Sequence, residues 1–256
     1  MNIFKFQVFL LVLVRMTGLF MMSPVFGRQS IPNYLKWGLS LLLAYIVFSN
    51  RFLDSQLEFW SFLEFGILIL RELLIGFTIG FITTIFFSSI WTAGQLIDTQ
   101  IGFGMVNVID PQSSIQVPLM GNFKNILALL VFFVLDGHHT LIKIISFSYD
   151  IVPLGEGKVT KELANLMISF FANSFILAVK IALPIIAITF LSEVAFGILV
   201  RTVPQMNVFI VGIPIKIFIG LIAILVFLPL YISSLKGVYD GMFNDIGKAL
   251  RGMMIE

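Results

Sequence analysis

From Leu73 to Ile97 the chain reads LLIGFTIGFITTIFFSSIWTAGQLI, with no charged residue. As a helix this run rises about 37 Å, more than the ~30 Å hydrocarbon core of a bilayer. A helix apolar on every face is buried in lipid or in protein. Ile217 to Leu235, IFIGLIAILVFLPLYISSL, is a second adequate run. The composition fits: 59% of residues are hydrophobic and 12% charged, against roughly 45–50% and about 25% in soluble domains. Such a chain has too little polar surface to cover itself in water. The fold class expected is an all-α integral membrane-type protein. The net charge of +2 comes from scattered Lys and Arg, which argues against a nucleic-acid partner. Without cysteine there are no disulfides, thiolate metal sites or Cys nucleophiles.

The remaining apolar runs are short or punctured. Phe6 to Gly27 carries Arg15, and no small-x-small cleavage site follows in MTGLFMMSPVF, so it reads as a retained first segment. Trp37 to Asn50 and Asn125 to Leu135 would reach only about 21 Å and 16 Å as helices. Leu163 to Ser192 holds Lys180 at its centre, and Pro184 just beyond should kink it. Breaks are expected at SPVFGRQSIP (23–32), with Ser30 as a helix cap and Pro32 in the next first turn. A tight turn is expected at LDGHH (135–139), a polar linker at DIVPLGEGKVTKE (150–162) and a second break at RTVPQMNVFIVGIP (201–214). The expected layout is about six hydrophobic, kinked helical segments arranged as hairpins.

Charges interrupt these segments at Arg15, Glu64, Arg71, Glu72, Asp98, Lys180, Glu193, Arg201 and Lys216. Each costs on the order of 2.5–3.5 kcal/mol at a lipid-facing helix centre. Two readings stay open: the side chains snorkel to an interface, or other protein surrounds them.

Catalytic motifs fail one by one. GFGM (102–105) has Met105 where an intramembrane aspartyl protease needs Asp, and Asn107 breaks a GxGxxG pattern. His138 and His139 are the only histidines. Being adjacent, they should point apart, so with Asp136 they read as a polar helix–helix turn rather than a metal site. No enzyme, cofactor or metal assignment follows.

Between the long run and the next apolar segment lies QIGFGMVNVIDPQSSIQVP (100–118), charged only at Asp110. Gly102 and Gly104 give backbone freedom, and Asp110-Pro111 sets a turn. An ordinary packed interhelical loop accounts for these residues, read alone.

Four stretches together resemble the FliR family of flagellar biosynthetic proteins and its relatives in type III secretion export gates. They are SPVFGRQSIPNYLKWGLSLLLA (23–44), AGQLIDTQIGFGMVNVIDPQSSIQVPLMGNF (93–123), FFVLDGHHTLI (132–142) and FGILVRTVPQMNVFIVGIPIKIFIGL (196–221). They occur in family order and spacing. The resemblance implies a structural subunit, not a catalyst, of the closed channel that exports unfolded flagellar proteins. It implies FliP and FliQ as partners, with FlhB and FlhA-like proteins nearby, at the bacterial inner membrane in the flagellar basal body. It also implies a complex lifted largely out of a conventional membrane position. Residues 1–162 would form a FliP-like part and 163–256 a FliQ-like hairpin with a C-terminal tail.

The resemblance further makes Gly102, Phe103, Gly104, Met105, Val106, Asn107, Val108, Ile109, Asp110 and Pro111 a channel plug. Arg201, Pro204, Gln205 and Asn207 match a FliQ loop pattern and would line a cytoplasmic entrance or contact a neighbouring subunit. Arg15, Asp98, Lys180 and Glu193 become candidate intersubunit charges. The competing class is a secondary transporter or ion-channel subunit, which should show an inverted repeat; the two halves differ in length and motif.

Overall fold

Helical periodicity governs the burial pattern. Val8, Leu11, Val12, Met16 and Leu19 are buried along one helix face, and Ile75, Ile79 and Ile82 along another, the spacing that an α-helix places on one side. The computed structural model describes residues 3–27, 31–52, 61–103, 118–202 and 208–254. Seven helices are found there: α1 (Ile3–Met22), α2 (Asn33–Arg51), α3 (Phe62–Ile101), α4 (Leu119–Val134), α5 (Gly137–Ile151), α6 (Lys161–Thr202) and α7 (Val208–Gly252). No strand occurs among the described residues. α1, α3, α6 and α7 are each long and apolar enough to cross a membrane, and α4 with α5 can count as a fifth, broken span. The protein is a helical membrane protein.

The long helices exceed their charge-free cores. α3 has 40 residues, α6 has 42 and α7 has 45, so they measure about 60–68 Å, twice a bilayer core. Glu64, Arg71 and Glu72 continue α3 toward its N-terminus rather than ending it. Pro184 lies inside α6, and Pro214 and Pro229 inside α7. Pro32 occupies the cap position of α2 rather than its first turn, and Ser30 is outside the described residues. The turn at Leu135–Asp136 falls where the sequence puts it. Asp136 has φ 54°, a left-handed conformation that Asp tolerates better than most residues.

The chain forms two compact units: Met1–Phe86 with Asp136–Phe171 and Tyr239–Glu256, and Phe87–Leu135 with Ala172–Val238. In the first, α1 and α3 approach through glycine. A Cβ on Gly76 would stand 2.2 Å from the Arg15 carbonyl oxygen, so a larger residue must push the helices apart. The core of the second gathers Ala93, Ile97, Ile101, Met120, Ala178, Ala182, Ile185, Ala223 and Ile224. The small alanines there let α3, α6 and α7 pack closely.

Candidate functional site

α3 ends at Ile101, and Gly102 follows with φ 99°, a backbone state that side chains resist. The Gly102 N–H donates to the Asp98 carbonyl at 3.2 Å. Phe103 packs against the apolar core of its unit. The other end of the loop is Pro118, which precedes α4 and has no side chain able to cap it. Asp98 caps it instead: its carboxylate accepts the Met120 N–H at 3.0 Å and the Gly121 N–H at 3.2 Å. A carboxylate at a helix N-terminus satisfies orphan donors and complements the helix dipole.

The approach that makes this cap possible is built from glycine. A Cβ on Gly94 would lie 2.2 Å from the Gly121 Cα, so α3 and α4 touch backbone to backbone one turn before Asp98. One residue therefore holds both ends of the loop, through its carbonyl and its carboxylate. Within the chain, the Asp98 carboxylate thus has two backbone N–H groups as partners. Gly104 to Pro111 lie outside the described residues.

Beside the loop's first foot, Lys216 on α7 is ion-paired with Glu193 on α6, and Gln100 Nε2 lies 3.4 Å from Glu193 Oε2. Glu193, expected to face another subunit, has a partner within the chain. Lys180 does not: it is exposed on α6 and forms no ion pair among the described residues. Arg201 is exposed one residue before the end of α6. Pro204, Gln205 and Asn207 lie outside the described residues.

Arg15 forms the densest polar arrangement in the first unit. Its Nε donates to Glu72 Oε2 at 2.5 Å and its Nη2 to Glu72 Oε1 at 3.1 Å. Nη1 donates to Ser148 Oγ at 2.9 Å, and Nη2 also to the Val152 carbonyl at 3.1 Å. The Tyr149 ring lies 3.9 Å from the guanidinium carbon, a cation–π contact. Glu72 Oε1 also accepts the Gly155 N–H at 2.8 Å, while Arg71 donates to the Gly155 carbonyl at 2.8 Å. Both side chains of the pair are fully buried. Pairing at this quality offsets the desolvation that an isolated buried charge could not survive. Arg15 is thus matched inside the chain, by α3, α5 and the linker after it.

Two features departed from expectation. The His138 and His139 rings do not point apart; their centroids are 4.1 Å from each other, with His139 Nδ1 3.2 Å from Asp136 Oδ1. Ligand atoms of Asp136, His138 and His139 lie within 4.8 Å of one another. All three stand at the start of α5, Asp136 and His139 exposed and His138 half-buried, and the Asp–His contact joins two side chains. Lys124 carries no signal in the sequence, standing just before the short apolar run Asn125 to Leu135. It is 4% exposed, with its ammonium 4.5 Å from the Tyr231 ring centroid, and the Tyr231 hydroxyl donates to its carbonyl at 2.9 Å.

The sequence profile described as "Bacterial export proteins, family 1" matches residues 6–242. The chain belongs to this family. It is 33% identical over 238 residues to the flagellar biosynthetic protein FliR of Bacillus subtilis, covering 92% of this chain and 91% of that one. FliR of Aquifex aeolicus is 32% identical over 222 residues, covering 86% and 85%. FliR of Escherichia coli is 25% identical over 232 residues, covering 91% and 88%. The matched residues include both feet of the loop, Arg15, Glu72 and all of α6.

Proposed function

We propose that the chain is a structural subunit of the flagellar type III protein export gate. It assembles with FliP and FliQ into a closed channel for unfolded flagellar proteins, in the inner membrane at the basal body, with FlhB and FlhA-like proteins as further contacts. The observation that carries this reading is the double anchorage of the loop at Asp98. A plug must be held at both ends yet change shape between them. Residues 102–111 suit this: apolar side chains exclude water and ions, and Gly104 leaves backbone freedom beyond the anchored foot.

The pairing of α6 and α7 supports a FliQ-like hairpin after residue 162. Glu193 meets Lys216 and Leu163 lies near Gly252, an antiparallel arrangement. Arg201 lies one residue before the end of α6, and we assign to Arg201, Pro204, Gln205 and Asn207 the entrance for substrate or a contact with FliQ. The structural role follows from the likeness to the FliR proteins.

The test has two parts. Co-expression with FliP and FliQ should yield a complex that co-purifies through a tag on this chain. Deleting Phe103 to Ile109 should leave that complex intact while letting small ions or dyes through the cell membrane. A deletion that assembles and stays tight, or one that never assembles, removes the plug assignment.

A further inference from the structure

α6 and α7 run antiparallel, and both carry proline inside the helix: Pro184 in α6, and Pro214 and Pro229 in α7. The Glu193–Lys216 ion pair sets their register within the second unit. Nine residues back along α6 from Glu193 stands Pro184, and nine residues on along α7 from Lys216 stands Leu225. Leu225 is about one helical turn before Pro229. A groove of about 330 Å³ between α4, α6 and α7 shows the same level: Pro184 lines it together with Leu228 and Leu230, the two neighbours of Pro229. Two prolines thus fall at nearly one height on facing helices. Pro214 has no counterpart, since Pro184 is the one proline inside α6.

A proline has no N–H for the carbonyl four residues earlier, and its ring crowds that carbonyl, so the helix weakens there. Here those carbonyls belong to Lys180 and Leu225, and Leu225 is the residue level with Pro184. The groove leaves room beside this weak level, where close-packed side chains would resist bending. The base of the hairpin, in the first unit, is built the other way. The Thr160 hydroxyl donates to the Gly252 carbonyl at 2.5 Å and accepts the Leu163 N–H at 3.0 Å. One side chain so joins the end of α7 to the start of α6, satisfying groups that a helix leaves without internal partners. Beside it the Lys158 N–H donates to the Met253 carbonyl at 3.3 Å.

We propose that Pro184 and Pro229 form one paired hinge, at which α6 and α7 bend together while their base stays fixed. Its use in opening a gate rests on the function proposed above. The hinge itself belongs to this chain, and its test needs no partner protein, so failure of the co-purification would leave it untouched.

The chain has no cysteine, so spin labels can be placed in pairs on the full-length protein in detergent and their separation measured by pulsed electron resonance. Ile176→Cys with Leu191→Cys spans Pro184, and Ile67→Cys with Phe81→Cys spans a proline-free stretch of α3; all four residues are exposed. Each pair is separated by about 21–23 Å along a straight helix. The α6 distance distribution should be about twice as wide as that of α3. Pro184→Ala should narrow it to the α3 width, and so should Pro229→Ala, while Pro214→Ala should leave it wide. A narrow α6 distribution from the outset means a rigid kink and overturns the proposal. So does an unchanged width in Pro184→Ala or Pro229→Ala, or equal narrowing by Pro214→Ala. Alanine suits a helix interior better than proline by about 3 kcal/mol, so these variants should fold. If Pro184→Ala does not accumulate, the wild-type width and Pro229→Ala decide.

Discussion

Arg15 and Lys180 interrupt apolar segments in much the same way, yet the folded chain treats them oppositely. Arg15 is 0% exposed and is surrounded by a carboxylate, a hydroxyl, a carbonyl and an aromatic ring. Lys180 is exposed beside an apolar groove with no carboxylate in its lining. A charge inside an apolar helix therefore has no single meaning. The first is a fastening whose partners are all supplied from within; the second is exposed, with no anion among the described residues. Asp98 and Glu193 belong with Arg15, since each is satisfied by the chain itself.

The sharpest way to break this comparison is to remove one side of the buried pair. Glu72→Ala leaves the Arg15 guanidinium buried and uncompensated, at a cost of about 3–5 kcal/mol. The protein should then be nearly absent from membranes, measured by quantitative blotting. Arg15→Met combined with Glu72→Leu removes both charges and should recover most of the wild-type level. If the double variant is no better than the single, the pair is not what links these elements.

Next in size is the glycine contact that lets Asp98 reach α4. Gly94→Ala places a methyl where the Gly121 backbone stands and should cost about 1–3 kcal/mol, read as a lower thermal midpoint in detergent. Asp98→Ala should cost about 0.5–2 kcal/mol through the lost cap. Amide exchange at Met120 and Gly121 should quicken while that at Leu141 and Ile145 in the first unit stays unchanged. Uniform acceleration across both units would show that Asp98 supports the whole fold rather than the loop. The smallest effect belongs to the partly exposed pair: Lys216→Ala should shift stability by less than about 1 kcal/mol.

Local punctuation was readable in the sequence because its causes are local. The turn at 135–136 and the polar linker after 150 are written in Asp, Gly and Pro next to one another. α3 was foreseen only from Leu73 to Ile97, because counting charge-free residues stops at Glu72. The helix continues to Phe62 since Glu72 turns inward to a partner 57 positions away in sequence. No window along the chain contains that information. The same is true of Asp98, whose partners lie 22 and 23 positions on, across the loop it anchors. Lys124 escaped notice because its significance is set by Tyr231, a residue 107 positions later. Short-range chemistry sets where helices begin and end; pairing across the chain decides which charges are spoken for.

The separation between Arg15 and its last partner also has a consequence in time. Val152 is 137 residues further along, and a ribosome adding about 5–20 residues per second needs roughly 7–27 s to reach it. Glu72 arrives after about 3–11 s at the same pace. During that interval the first helix enters the membrane with its guanidinium waiting, and a chain arrested before the linker never completes the fastening. Newborn molecules thus carry an unmatched cation until Glu72 emerges, and a half-made fastening until the fifth helix and the stretch after it supply Ser148 and Val152.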